Sequence, residues 1–503
     1  MIRQLLDQLN QSHRQMNHME HQLQQLLRRL YGRSSETIDP KQMVMFTELL
    51  AELKKQVPPE PESKPTPVAG PNRSGHGRRR LPADLPREQI VHDLPEDEKP
   101  CPCCGTMRQV IGQEVSEQLD YEPAKLKVIE HVRLKYACRA CEQAAEGGPQ
   151  IATAEKPLSP IEKGLAAPGL LAQVIVGKYG DSLPLHRMET ILKRHGIEIA
   201  RSTMADWMRQ SAEALKPLYD LMGREVLASK VVHTDDTPVD VLDREQSGTR
   251  TGRFWVYLGD AAHPQTVFDY TPSRSRDGPM TFLKDWGKDQ PRFLQADAFG
   301  GYDGIYAGRA GGSVTEVACW AHARRKFFEA QTSDRPRSAQ ALAYIRLLYD
   351  VEDQAKESLS SVRANLRQTQ AVPRLGEFKT YLESIQATTG GPVLPKSPMG
   401  QAIGYALNQW PALCVYTTDG DLAIDNNAAE NALRRVALGR KNWLFCGSDR
   451  GGHTAAVLFS FLATCQRHRV NPFTYLRDVL TRIAAHPHHR LAELLPNRWT
   501  PQT

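Results

Sequence analysis

The chain has 503 residues, 24% of them charged and 40% hydrophobic, with a formal net charge of +6. That length is too great for one compact core, so several domains are expected, and no run of about 18 apolar residues offers a membrane span. The mild positive excess permits an acidic partner such as nucleic acid without requiring one.

The opening residues, MIRQLLDQLNQSH, lack a signal-peptide pattern, which predicts a cytoplasmic protein. Nine cysteines, clustered and odd in number, favour metal binding in a reducing compartment over a disulfide framework. Residues 1–50 read as a coiled-coil-like helix. Ile2, Leu9, Met16, Leu23 and Leu30 recur at heptad spacing, with Leu5, Ser12, Met19 and Leu26 in the other seam position. A helix packed on its own protein fits the same pattern. Residues 51–85 form a proline-rich basic linker that ends in Arg78, Arg79 and Arg80. It can lie along a phosphate backbone or simply be solvated.

Residues 86–150 carry two CxxC knuckles, Cys101 with Cys104 and Cys138 with Cys141. Four thiolates satisfy a tetrahedral structural Zn²⁺. Cys103 can compete with Cys104, and Val128–Cys138 alternates like a strand that delivers Cys138. Residues 160–225 read as helices: Leu170–Gly180, then Pro184–Gly196, then Ser202–Leu215 with Ser202 as its cap. This is a helix-turn-helix outline, with Arg201, Thr203 and Arg209 where base or phosphate contacts fall. Trp207 reads as core. The pattern alone does not separate DNA binding from an ordinary helix pair.

Residues 229–334 are strand-rich. Lys230–Leu242 is a short strand running into Asp235 and Asp236, and Arg253–Asp260 and Gln265–Ser273 alternate as antiparallel neighbours would. A helix over Gly278–Trp286 precedes a second apolar strand that ends at Asp297. Ser313–Trp320 is the next strand, and His322–Ala330 a helix carrying Arg324, Arg325 and Lys326. His322 can orient a phosphate or a water, or be an ordinary histidine at a strand–helix junction.

Residues 335–420 read as a helical insertion, 421–470 as the return of the core, and 471–503 as a carboxy-terminal tail. In the return, Asn426 or Asn427 can cap a helix in which Glu430 and Arg434 share one face and Leu433 and Ala437 face the core. Arg440 and Lys441 follow, then a polar loop from Gly447 to Gly452 and a buried helix over Ala455–His468. A surface ion pair would explain Glu430 and its arginines blandly. Yet acids at the ends of two buried strands are costly unless they bind something. Two such acids and an acidic helix make three carboxylates from three elements, which is how hard divalent cations are held for phosphoryl transfer.

These stretches, with CWAHARRKF at Cys319–Phe327, LRRLYGRSSE at Leu27–Glu36 and the cysteine module, resemble the transposases of the insertion-sequence-66 family over nearly the whole chain. The resemblance implies a DDE triad of Asp235, Asp297 and Glu430 on a ribonuclease-H-like core within a multidomain α/β protein. Hairpin strands, a helix, then strands alternating with helices give the same core order from pattern. The family usually reads Asp-Glu-Thr where this chain has Asp235-Asp236-Thr237, so Asp236 and His322 are candidate supports.

Two Mg²⁺ or Mn²⁺ ions and a structural Zn²⁺ are implied, with Arg324, Arg325, Arg434, Arg440 and Lys441 on DNA phosphates. So are double-stranded DNA (transposon ends and target), a homo-oligomer on that DNA, accessory proteins of the same element, and a nucleoid-associated place in a bacterial cytoplasm. The expected activity is hydrolysis at transposon ends and transfer of the 3′-hydroxyl ends to a target. The rivals are a catalytically inactive DNA-binding regulator and a metal-dependent nuclease of the same fold.

Overall fold

A computed structural model describes residues 126–131, 135–137, 151–153, 158–162, 164–243, 248–306, 313–386 and 390–501. The heptad helix, the proline-rich linker and the four zinc cysteines lie outside the described residues. The elements from Lys135 onward belong to one compact unit that contains His131–Thr503.

A short antiparallel pair comes first, β1 (Lys135–Ala137) with β2 (Ile151–Thr153). The strand expected from Val128 is present at Lys135–Ala137, whereas Val128 is 93% exposed in irregular chain. Next come α1 (Pro168–Ile175), a π-turn over Val176–Gly180, α2 (Leu185–Arg194) and α3 (Arg201–Ala228). Proline opens α1, where its missing N–H costs nothing, and Gly196 takes the positive φ of 78° that lets the chain turn out of α2.

Two expectations change here. Ser202 does not cap α3, which begins at Arg201 with no side-chain cap. The helix also runs past Leu215 to Ala228, straight through Pro217. Leu215, Leu218, Met222 and Val226 are all fully buried, and that packing outweighs the hydrogen bond proline removes. Trp207 lies in the same buried stripe.

The main sheet contains β3 (Val231–Asp243), β4 (Gly248–Leu258), β5 (Thr266–Thr271), β6 (Arg292–Gln295), β7 (Val314–Val317) and β8 (Phe445–Cys446). Its order is β5-β4-β3-β6-β7. The first three strands are antiparallel, and β3, β6 and β7 run parallel. The helices between and after these strands are α4 (Asp277–Phe282), α5 (Asp303–Tyr306), α6 (Trp320–Ala330), α7 (Arg335–Ala355), α8 (Ser360–Leu366), α9 (Val372–Ile385), α10 (Pro398–Asn408), α11 (Trp410–Cys414), α12 (Asn427–Trp443), α13 (Asp449–Arg467) and α14 (Pro472–Arg482).

Asp235 and Asp236 do not end a short strand. They sit inside the long β3, because β4 pairs with it as far as Asp243 opposite Gly248 and keeps the backbone extended beyond the acids. On its other edge β3 pairs with β6 over Val231–His233 and with β8 at Asp240 and Val241. Thr234–Val239 therefore has no strand beside it on that edge among the described residues. Pro238, which has no N–H to offer a ladder, falls in this gap. Helix α12 closes it at both ends. Asn426 Nδ2 donates to the Thr234 carbonyl at 2.8 Å, and Arg440 donates to Thr237 Oγ1 at 2.8 Å and to the Pro238 carbonyl.

The far edge of the sheet is sealed by α13. Ser460 Oγ accepts from the Phe268 N–H at 2.8 Å. Thr464 Oγ1 accepts from the Thr266 N–H at 3.0 Å and donates to its carbonyl at 3.1 Å. Hydroxyls four residues apart on the buried part of this helix thus satisfy the open edge of β5, which would otherwise bury unpaired backbone groups. The expected polar loop is mostly the first turn of this helix, with Ser448 Oγ accepting from the Gly451 N–H at 3.2 Å as its cap.

Two apolar cores result. One joins α1–α3, the antiparallel strands and α12–α14. The other lies in the helices of residues 335–420 and is rooted on Val317 of β7 and Trp320 of α6. No described helix is long and apolar enough to cross a membrane.

Candidate active site

The predicted acids lie around the gap in β3, near enough for Asp235 to feel the charges of Asp297 and Glu430. Asp235 rises from β3, Asp297 follows the end of β6 by two residues, and Glu430 lies in the first turn of α12. Burial pushes the Asp235 carboxyl up to about 7, with the charges of Asp297, Asp236 and Glu430 adding to it. The N–H of Asp236, donating to Asp235 Oδ1 at 2.7 Å, works the other way. Asp297 is also raised, mainly by burial, and His322 offsets part of this. Like charges crowded into a dry space disfavour ionisation, and a cation would reverse that.

The seating of Glu430 depends on residues just before it. Asn426 occupies the cap position of α12, but its side chain does not cap the helix. It is fully buried and bonds across to β3: Nδ2 to Thr234, and Oδ1 against His233 Nδ1 at 3.1 Å. Its N–H donates to Cys319 Sγ at 3.1 Å. The start of the helix is held instead by Asp425, whose Oδ1 accepts from the Asn427 N–H at 3.1 Å and whose Oδ2 accepts from Tyr349 at 2.9 Å. Gln295, at the end of β6, donates to the carbonyls of Ala423 at 2.6 Å and Asp425 at 3.1 Å. The Asp297 strand is thereby tied directly to the segment that carries Glu430.

Glu430 Oε1 lies 3.7 Å from His322 Nε2, and Oε2 lies 3.7 Å from Arg325. Cys319, His322 and Glu430 have ligand atoms all within 4.8 Å of one another, and Asp235 and Asp297 stand outside that tight group. Burial pushes the Cys319 thiol up to about 11, so it stays protonated and is a poor ligand for a hard cation. Its visible work is to accept the Asn426 N–H.

Asp297 Oδ1, Glu430 Oε1 and His322 Nδ1 are buried and lack a hydrogen-bond partner. Buried carboxylate oxygens without donors are expensive. Oxygen-ligated Mg²⁺ or Mn²⁺ fits this donor set.

Asp236 is placed differently. Its side chain is 1% exposed, and both oxygens are taken. Oδ2 accepts from Arg253 at 2.7 Å, and Oδ1 accepts from Arg274 Nε at 3.1 Å and Nη2 at 2.9 Å. It is not an open metal ligand. Nothing in the sequence marks Arg274, because a polar turn carrying it and Arg276 after a strand reads as ordinary surface.

The predicted phosphate contacts divide. Arg325, Arg434 and Lys441 are exposed, and Arg324 is partly buried in α6. Arg440 is tied to β3 through Nη1 alone. In α3, Arg209 is bound to Asp206 and Glu213 at 2.6–2.8 Å, Arg201 lies 3.3 Å from Glu189, and Thr203 is exposed. Arg434 faces outward, and Glu430 meets Arg325 and His322 of α6 rather than the arginine four residues on.

Comparison with known proteins now gives a class. A model described as "Transposase IS66 family" matches residues 163–454, more than half of the chain. The zinc-finger binding domain of transposase IS66 matches residues 98–142, and the IS66 C-terminal element residues 460–497. A model described as "Transposase C of IS166 homeodomain" matches residues 18–90, the stretch read above as coiled-coil-like helix and linker. These are transposase sequences, and the chain belongs to the IS66 family among them.

Relatives in Sinorhizobium fredii (strain NBRC 101917 / NGR234) include uncharacterized protein y4hP, 32% identical over 96% of this chain and 88% of the relative. Uncharacterized protein y4jD of the same strain is 29% identical over 94% of this chain and 93% of its own length.

Proposed function

We propose that this transposase-family chain cuts the phosphodiester at transposon ends and joins the freed 3′-hydroxyl to target DNA, using Asp235, Asp297 and Glu430. The observation that carries the reading is the pair of partnerless buried oxygens, Asp297 Oδ1 and Glu430 Oε1, beside an Asp235 that feels the charge of both residues. The strand order β5-β4-β3-β6-β7, antiparallel then parallel, supports a ribonuclease-H-like core formed by residues 229–334 and 421–470.

Divalent ions at such a site supply an activated water and stabilise a leaving oxygen. Asp235, Asp297 and Glu430 would hold them. The chain's own part is to fix the three carboxylates on β3, the end of β6 and α12, and to orient Glu430 through His322. Arg325, Arg434 and Lys441, exposed on α6 and α12, would take flanking phosphates. The first step breaks the P–O3′ bond as water oxygen bonds to phosphorus. In the second, the 3′-hydroxyl oxygen replaces water and a target P–O bond breaks.

The rest of the reading completes the machine. In this reading 1–50 would be a coiled-coil-like helix, 51–85 a basic linker and 86–150 a Zn²⁺ module on Cys101, Cys104, Cys138 and Cys141, stretches whose cysteines and heptads lie outside the described residues, and 160–225 would be a DNA-binding helical region. Residues 335–420 are a helical insertion and 471–503 a tail. Assembly on DNA as a homo-oligomer, with accessory proteins of the same element, would occur at the bacterial nucleoid.

The test is a nicking and strand-transfer assay on labelled end DNA with Mg²⁺. Asp297→Asn should lower cleavage by about a thousandfold, the scale of a lost metal ligand, with end binding retained. A variant that still nicks at the wild-type rate refutes the triad. Cutting without joining would favour the nuclease, and binding without cutting the regulator.

A further inference from the structure

A buried carboxylate next to two other acids demands explanation, and Asp236, beside Asp235 and Asp297, is one. Its side chain is 1% exposed and lies inside β3 beside Asp235. Its partners show what the burial achieves. Arg253 comes from the adjoining strand β4 and is 20% exposed. Arg274 comes from the segment after β5 and is 40% exposed. Asp236 thus grips one arginine in the sheet and one at the rim.

The rim arginine is unusually well fixed. Two of its nitrogens, Nε and Nη2, bond to the same oxygen of Asp236. The flat guanidinium lies over the Phe299 ring, 4.0 Å from its centroid. Phe299 itself follows Asp297 by two residues, so the stack ties Arg274 to the turn that carries the second acid. Nη2 stands 4.0 Å from Asp297 Oδ2, beside that acid without closing a hydrogen bond to it. Nη1 has no partner among the described residues. An arginine held along one edge and one face keeps its other edge for a planar or tetrahedral oxyanion.

We infer that Arg274 is a phosphate-binding residue of the reaction centre, donating to a non-bridging oxygen of the phosphodiester beside Asp297, and that Asp236 is the positioning residue that holds it there. This rests on the triad reading above. It gives Asp236 a different role from metal ligation: its carboxylate is consumed in aiming a cation at the substrate. A donor fixed before the substrate arrives costs no reorganisation as charge builds on the phosphoryl oxygens.

The experiment uses the purified full chain in two arms. In the first, cleavage of end DNA with Mg²⁺ should fall about a hundredfold in Arg274→Ala, the scale of one preorganised donor, chiefly in kcat. Arg274→Lys should not restore it, since an ammonium cannot bind along an edge and stack at once. Asp236→Asn should reproduce the loss, Asp236→Glu should keep most of the activity, and Asp236→Asn with Arg274→Ala should be no worse than Arg274→Ala alone.

The second arm measures binding of plain duplex DNA, without divalent ions, against salt. The slope of log affinity on log salt should shrink by about one in Arg274→Ala. Arg274→Ala cutting within about twofold of wild type would overturn the proposal, on the same scale of one lost donor. A wild-type chain that does not cut even with the accessory proteins of the element added refutes the triad reading instead, and the salt slope then judges Arg274 by itself: an unchanged slope overturns its role and a reduced one supports it.

Discussion

Two of the regions where this molecule buries charge are finished differently. Among the helices of residues 335–420, Arg367 is 1% exposed and every N–H it carries has an acceptor. Nε and Nη2 reach the two oxygens of Glu352 at 2.8 and 2.6 Å. Nη1 reaches the carbonyls of Tyr416 and Asp419 at 2.8 Å, and Nη2 also that of Leu422 at 2.9 Å. At the gap in β3, Asp297 and Glu430 each keep a buried oxygen with no donor. The first arrangement is closed and complements itself. The second is open, and only something from outside the described residues completes it. A charge buried for structure and a charge buried for chemistry are told apart by this accounting, not by depth.

The contrast predicts opposite responses to removing a charge. Arg367→Met leaves Glu352 and three carbonyls unpaired, and should cost about 3–5 kcal/mol in a urea titration. Adding Glu352→Leu should recover much of that loss, because a matched apolar pair does not strand a buried ion. A cost below about 1 kcal/mol for the single change would put this pair in the class of exposed ion pairs and erase the contrast.

At the open site the next effect runs the other way. Mg²⁺ or Mn²⁺ should raise Tm in proportion to its binding, equivalent to about 2.7 kcal/mol when the ion is a hundredfold above its Kd. Asp297→Asn and Glu430→Gln should each abolish that shift, whereas Arg367→Met should leave it intact on a lower baseline. An ion-induced rise that survives loss of both acids would place the cation elsewhere.

How much of this could be read from the chain follows the same division. The strands around Asp235 and Asp297 and the helix of Glu430 were legible because period-two apolar runs and a capped acidic helix are local patterns. The passage of α3 through Pro217 was not, since it is decided by burial against elements far off in sequence. Nor was the long β3, whose extension past the acids comes from pairing with β4. Asp236 looked like a spare ligand because sequence gives a carboxylate's position and not its partners. Arg253 and Arg274, 17 and 38 residues away, decide what it does. Arg440 shows the same limit: a cation near an acidic helix reads as a phosphate contact, and nothing local shows that its Nη1 also reaches Thr237 and the Pro238 carbonyl. Asn426 does hold the cap position of α12, but its side chain bonds to β3 and the Asp425 carboxylate takes the Asn427 N–H instead, a choice no local pattern shows.

The smallest effect concerns Asp235, and it tests the openness of the site without any added ion. Burial holds this carboxyl up at about 7, above the ordinary value near 3.9. Below about pH 4 Asp235 is neutral in the folded and unfolded chain alike, so folding pays no charge penalty there. As pH rises from about 4 to 7 the unfolded chain ionises while the folded one resists, and folding loses stability. Above about 7 both forms are ionised and the loss is complete. Asp235→Asn lacks this titration. In the absence of divalent ions, wild type should therefore lose ground to the variant across that window, and the gap should be flat beyond it. The buried amide has its own desolvation cost, which offsets part of the gain and keeps the difference small. Asp297 is raised by burial too, but it is present in both chains and its direct contribution largely cancels. Melting curves of the two chains at several pH values give the sign. If wild type instead gained on the variant as pH rose, Asp235 would be held ionised by a partner, and the site would be as closed as the helical segment.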